Sequence, residues 1–320
     1  MNETLTLDTP FIRRFSAYLA ERFPLPSHIS MVVIYFLANQ SLAQVLCQPD
    51  EPLRVGWVSA LGTLFLLCVF FHLRVFDEHK DYEDDCRYYP QRILSRGLIT
   101  LKHLKALGVA AISVELLVAA CIGRPALIAA LATIFFSWIM LHEFFVRDWL
   151  RAHFILYAIF HMLITPLMAA AIFSFVIGRP FWEAPRLFWA YALADFLAFS
   201  NWEISRKIRV PGDEIAGVSS YSKEFGMFNA CYVVVGLRVL NTALAWMIGH
   251  YLDLGVLYYA GLIALFIITL AGILHFRLRP SRKTAISLEA YGGGYIIFFY
   301  FVLVAELCRK HGFAFIGGLS

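Results

Sequence analysis

Six of the nine residues from Asp77 to Asp85 are acidic: Asp77, Glu78, Asp81, Glu83, Asp84 and Asp85. Asp77, Asp81 and Asp85 recur every four positions. On a helix each such step passes a full turn by only about 40°, so these three carboxylates share one stripe. Carboxylates crowded in this way repel one another and take up protons unless something positive compensates them. Mg²⁺ suits that role, because it accepts carboxylate, water and phosphate oxygens together. The pattern therefore predicts a diphosphate site bridged by metal ions, with Asp77, Asp81, Asp84 and Asp85 as ligands. The competing reading is a solvated acidic helix end.

Three basic segments accompany the stripe. In the first, Tyr89 to Gly97, Pro90 ends the helix and Gly97 permits an unusual turn. Arg92 and Arg96 can then meet phosphate oxygens. The second, Glu143 to His153, brings Arg147 and Arg151 to the same membrane face. The third, Asn201 to Arg209, carries Glu203, Arg206, Lys207 and Arg209, with Asp213, Glu214 and Gly217 following. Lys207 and Arg209 join the expected diphosphate set. Glu203 and Asp213 extend the expected metal set, and Glu203 is equally able to pair with Arg206 or Lys207. Asp195 lies two turns before Glu203 inside an apolar segment, where an ionisable residue faces the bundle interior and is functional by default. Asp195 and Glu203 are thus the expected catalytic carboxylates. His161 reads as a hydrogen-bonded structural group. Arg238, buried in another apolar segment, needs a partner, for which Asp195 and Glu289 are candidates.

The elements that position these groups are membrane spans. Of 320 residues, 60% are hydrophobic and 16% charged, against about 45–50% and about 25% in a soluble domain. Mean hydropathy is +0.68. About 20 apolar residues cross the hydrocarbon core as a helix. Nine such segments are predicted, at 29–47, 55–76, 103–121, 125–143, 153–177, 187–204, 228–250, 256–275 and 288–307. The alternating pattern of a β-barrel is absent. The N-terminus and the connections after spans 2, 4, 6 and 8 hold 20 of the 27 Lys and Arg. Basic residues stay cytoplasmic, so the N-terminus and both long charged loops, 74–102 and 204–227, are expected inside. Residues 11–24 can form a helix on the membrane surface. No cleavable signal peptide is expected ahead of the first span. Six cysteines show no metal spacing, and nothing points to nucleic acid.

Taken together, Asp77-x₃-Asp81-x₃-Asp85 followed by Pro90-x-Arg92-x-Leu94-x₂-Gly97 resembles the first Asp-rich motif of the UbiA superfamily of intramembrane prenyltransferases. The resemblance implies an all-α, polytopic bundle of about nine transmembrane helices around a central cavity. It also implies an N-terminal segment at 1–28, one transmembrane domain at 29–320, and the multi-pass placement of a bacterial inner-membrane protein. It implies Mg²⁺ on the acidic residues, a prenyl diphosphate donor, a lipophilic acceptor, and a hydrophobic tunnel opening towards lipid. Asp213 and Gly217 match the end of the second motif. Arg209 stands where that motif has an Asp, and the first motif lacks its leading Asn, so cations are expected to replace part of the metal charge. A terpene cyclase on the same scaffold is the alternative reading. A membrane transporter is the second alternative, disfavoured because the charge gathers at one face rather than at mid-membrane.

Overall fold

The computed structural model describes residues 5–316. The outermost four residues at each end, which belong to the expected segments 1–28 and 29–320, lie outside the described residues. The chain runs α1 (Phe11–Arg22), α2 (Leu25–Cys47), β1 (Leu53–Gly56), α3 (Trp57–Lys80), α4 (Tyr82–Tyr88), α5 (Leu101–Ile122), α6 (Arg124–Leu141) and α7 (Arg147–Ala152). It continues through α8 (Phe154–Met162), α9 (Ile164–Ile177), α10 (Arg186–Ser205), α11 (Tyr221–Phe225), α12 (Met227–Tyr251), α13 (Val256–Leu278), α14 (Arg282–His311) and β2 (Phe313–Ile316).

Among the described residues, eight helical segments are long and apolar enough to cross a membrane: α2, α3, α5, α6, α8 with α9, α12, α13 and α14. The chain is a polytopic membrane protein. The segment expected at 187–204 is the 20-residue α10. It is less apolar than the others because it carries Asp195, Asn201 and Glu203, and it packs inside the bundle against α9, α12 and α14. The helices overrun their apolar stretches at the charged end: α3 continues to Lys80, four residues past the expected limit, and α14 starts at Arg282. Backbone bonding inside a helix satisfies the peptide groups whether or not the side chains are apolar, so hydropathy marks the core of a span better than its ends.

The expected span 153–177 is broken at Leu163. Pro166 has no N–H to offer the carbonyl of Met162 and crowds the preceding turn, so α8 stops at Met162 and α9 starts at Ile164. At the end of the bundle away from the acidic loop, β1 and β2 pair in parallel, Leu53 against Phe313 through Gly56 against Ile316. A Cβ at Gly56 would stand 2.7 Å from the Ile316 carbonyl oxygen, so only glycine lets the strands meet. The central core is apolar and aromatic, with Tyr35, Phe36, Phe65, Phe173, Phe188 and Phe299 all essentially buried.

Candidate functional site: a charged mouth at one end of the bundle

The acidic stripe straddles the junction of α3 and α4. The four-residue bonding continues through it, with the Asp81 N–H donating to the Asp77 carbonyl (2.9 Å) and the Asp85 N–H to the Asp81 carbonyl (2.8 Å). Asp81 itself, at φ −102° and ψ 9°, leaves helical geometry. The expected straight row of three carboxylates is therefore bent at its middle member. The bend turns the carboxylates towards different cations. Asp77 meets Lys80 (3.5 Å) and Arg74 (3.8 Å). Asp81 and Asp84 share Arg151 at 4.0 and 3.8 Å. Asp85 holds Arg92 at 2.5 Å and Arg22 at 3.3 Å. Arg92 also stacks on Tyr89, 3.8 Å from the ring centre. α4 stops at Tyr88, ahead of Pro90, and Gly97 turns at φ +73°.

Burial and the neighbouring Asp77 and Asp85 carboxylates push the Asp81 carboxyl up to about 6, against the pull of Lys80 and Arg151. Such a group takes a proton or a metal ion in preference to standing charged and alone. Among the described residues, no three His, Cys, Asp or Glu side chains are grouped closely enough to enclose an ion. The mouth is an open, oxygen-rich surface. That fits Mg²⁺, which keeps waters and is held by one or two carboxylates plus substrate phosphates rather than by an all-protein cage.

Arg147 and Arg151 are aimed by a carboxylate that the sequence reading passed over. Buried Glu143 accepts from Arg147 (2.9 Å) and Arg151 (3.1 Å). The turn that carries it is left-handed at three consecutive non-glycine residues: Glu143 (φ 48°), Phe144 (φ 56°) and Phe145 (φ 59°). Each such residue costs about 1–3 kcal/mol and persists only where surrounding contacts over-determine it. Here those contacts are the two guanidinium pairs on Glu143 and the ring contacts of Phe144 with Phe136 and Phe160 and of Phe145 with Trp138.

The second loop is built differently. Glu203 is paired by its own neighbours, Arg206 (2.5 Å) and Lys207 (2.7 Å). Arg206 also lies within electrostatic reach of Asp77, so the two loops face each other there. They also touch at Gly217. Its φ is +82°, and a Cβ would stand 2.0 Å from the Tyr88 hydroxyl of α4, so both conformation and space demand glycine. Arg209 is anchored by its N–H to Ser222 Oγ (2.6 Å) while its Nη1 is buried without a partner. Asp213 lies in a short turn, Pro211–Asp213. Glu214 accepts from Ser220 (2.8 and 2.9 Å).

Other expected residues fall outside the mouth. Arg96 points to the Leu5 carbonyl (3.0 Å). Asp195 is fully buried in the core near Asn39, Tyr35 and Tyr300. Arg238 pairs with neither Asp195 nor Glu289: its Nη2 donates to Asn201 Oδ1 (2.8 Å), and it lies on the Tyr295 ring. His161 does bond locally, Nδ1 to the Tyr157 carbonyl at 2.8 Å. Its Nε2 is buried without a partner, and Asp77, Lys80 and Lys207 are its charged neighbours. Lys80, almost wholly buried, donates to the Tyr157 hydroxyl (2.7 Å). Lys80, Tyr157 and His161 thus line the mouth although no spacing rule selected them. The available signal was Lys80 at i+3 from Asp77.

An apolar cleft of about 250 Å³ runs between α2, α10 and α14, lined by His28, Met31, Phe199, Trp202, Gly293 and Ile296 among others. Trp202 neighbours Glu203 of the mouth, so the charged and apolar spaces adjoin along α10.

Bundle, charged mouth and adjoining cleft define a polytopic α-helical membrane protein with one specialised end. No protein-family model matches the sequence, and no curated protein does. Solved structures do match. An apo UbiA homologue from Aeropyrum pernix K1 aligns with TM-score 0.61 and 15% identity, over 89% of this chain and 97% of that one. A digeranylgeranylglyceryl phosphate synthase structure gives TM-score 0.59 and 18% identity, over 93% and 99%. A UbiA homologue from Archaeoglobus fulgidus bound to GPP and Mg²⁺ gives 0.54 and 14%, over 90% and 99%. The chain has the UbiA fold.

Proposed function

We propose that the protein is a Mg²⁺-dependent intramembrane prenyltransferase, moving a prenyl group from a prenyl diphosphate to a lipophilic acceptor. The observation that carries this reading is the mouth itself. Asp77, Asp81, Asp84 and Asp85 meet Lys80, Arg92 and Arg151 at one end of the bundle, beside an apolar cleft of about 250 Å³. The same fold in the A. fulgidus homologue is described with GPP and Mg²⁺ bound, which supports the choice of ligands. The charge asymmetry of the loops supports a cytoplasmic mouth and N-terminus.

Asp77, Asp81, Asp84 and Asp85 would hold Mg²⁺, which when bound would supply positive charge to the diphosphate oxygens. Arg92, Arg151, Arg147, Lys207 and Arg209 supply further cations, preorganised by Asp85, Glu143 and Glu203, where the leaving group gains charge. The carbon–oxygen bond breaks, the diphosphate leaves with the electron pair, and the allylic carbocation is shielded from water by the bundle. The acceptor's electron pair closes the new bond. Its proton passes to a carboxylate, for which Glu203 at the mouth and Asp195 two turns deeper are the candidates. Asp213, expected from the sequence as a further metal ligand, lies in a short turn of the second loop, where cations would take over much of the metal's work.

The test is incubation of purified protein with geranyl diphosphate and Mg²⁺, with and without a membrane lipid extract as acceptor source. Pyrophosphate release and a prenylated lipid that depend on the extract are expected. A cyclic hydrocarbon from the diphosphate alone would overturn the transferase in favour of a cyclase. Unchanged diphosphate passing across the membrane would overturn both.

A further inference from the structure

The sequence allows residues 11–24 a helix on the membrane surface. The structure puts the inner face of α1 on protein. Tyr18 is fully buried in one cluster with Val75, Ile93, Leu94 and Leu98. Phe23 meets Phe71 edge-on at 5.5 Å. Polar contacts of Arg14, Tyr18, Glu21 and Arg22 reach the acidic loop or the turn behind it. Arg14 Nη1 donates to the Leu98 carbonyl (2.8 Å), and the Glu21 carboxylate accepts from the Ile93 N–H (3.3 and 3.4 Å). Arg22 Nε meets Glu78 Oε1 at 2.6 Å, and its Nη2 meets Asp85 Oδ2 at 3.3 Å. Tyr18 Oη donates to Glu78 at 3.4 Å.

We propose that α1 is a working part of the acidic loop and that Arg22 is its positioning residue, bridging Glu78 on α3 to Asp85 on α4 across the bend at Asp81. The inference rests on the proposed metal-dependent function of that loop. Glu78 is buried, on the last turn of α3, and Arg22 is the cation paired with it. Without Arg22 a buried carboxylate keeps, among the described residues, the Tyr18 phenol as its hydrogen-bond partner, which is the costly half of a broken pair. Glu78 then turns towards water and carries the end of α3 with it. Asp85 loses one of the two guanidiniums that fix its oxygens. A guanidinium suits the task because its rigid fork reaches two carboxylates at once, which a single ammonium does less well. Glu78 is accordingly spoken for by Arg22 and stands apart from the metal-binding carboxylates.

The experiment uses full-length protein in lipid nanodiscs. Cys86, directly after Asp85 and half-buried, reports the position of the loop through its rate of labelling by a charged maleimide, with Cys86→Ser identifying the signal. Arg22→Gln is expected to speed labelling about tenfold. It is also expected to raise by about tenfold or more the Mg²⁺ concentration needed for inorganic pyrophosphate binding, as loss of a ligand's supporting partner does, while affinity at saturating Mg²⁺ changes by less than about threefold. Arg22→Lys should recover part of both, and Glu21→Gln should move both in the same direction by less. A labelling rate in Arg22→Gln equal to wild type overturns the clamp. So does an unchanged Mg²⁺ requirement in Arg22→Gln when the wild type binds pyrophosphate. If Arg22→Gln fails to fold, wild-type labelling in both Arg22→Lys and Glu21→Gln overturns it. Wild-type protein that ignores Mg²⁺ and pyrophosphate speaks instead against the proposed function, and the Cys86 rates still decide the clamp.

Discussion

The two charged loops occupy equivalent places in the two halves of the chain, yet they satisfy their charges in opposite ways. In the first, Asp77 pairs within its own helix with Lys80 and Arg74, but Asp81, Asp84 and Asp85 reach cations on other elements: Arg151 of α7, Arg92 of the following turn and Arg22 of α1. In the second, Glu203 closes on Arg206 and Lys207 within one turn, and Glu214 on Ser220 within its own loop. Long-range pairs hold an arrangement that a metal ion and a diphosphate can enter and re-partner. Short-range pairs leave a surface that is already settled, with Arg209 Nη1 still lacking a hydrogen-bond partner among the described residues. On the proposed function, this difference leads to the expectation that the metal binds at the first loop and that the second makes direct cationic contacts.

The largest effect should come from the first loop. Asp81→Ala is expected to lower turnover about 10³-fold, since it removes the central carboxylate and with it the charge stabilisation the metal supplies. Arg92→Ala should cost about 10²-fold, the usual loss of one donor to a developing anion. Both are read from pyrophosphate release. Asp213→Ala should cost less than about tenfold; a loss matching Asp81→Ala would place a second metal in the second loop and break the contrast.

Acidity sharpens the same contrast. The metal needs the Asp81 carboxylate, whose proton affinity is raised to about 6. The Mg²⁺ concentration for half-maximal binding should therefore climb as pH falls below that value, by about tenfold per unit, as proton and metal compete. Asp81→Asn should flatten that dependence. For the metal-free protein the sign reverses. A carboxyl that holds its proton more tightly when folded adds stability below its unfolded range, and that contribution is lost as pH rises through about 6. The smallest effect on chemistry should come from the buried core. Asn201→Ala strips Arg238 of its acceptor and should cost about 3 kcal/mol of stability, with the Mg²⁺ requirement unchanged in whatever fraction remains folded.

The spans and the acidic loop were legible because they rest on local signals. Twenty apolar residues must be helical in lipid, and six acids in nine residues stand out in any context. Pro90 and Gly97 punctuate the loop as their backbone preferences require. What escaped was set by tertiary contacts. Nothing near Arg238 in sequence points to Asn201 and Tyr295. Nothing near Arg22 points to Glu78, 56 residues away. His161 reads as structural from sequence because it stands alone in an apolar segment, and only the fold brings its free Nε2 near Lys80 and Asp77. The straight stripe failed at Asp81 for a related reason: periodicity assumes an unbroken helix, whereas the backbone leaves helical geometry at Asp81 and its carboxylates turn to different cations.

Isothermal titration with inorganic pyrophosphate, with and without Mg²⁺, tests the central claim most directly when applied to wild type, Asp81→Ala and Asp213→Ala. The account predicts binding that requires Mg²⁺, disappears in Asp81→Ala and survives in Asp213→Ala. Binding of equal strength without Mg²⁺, or undiminished in Asp81→Ala, would contradict it.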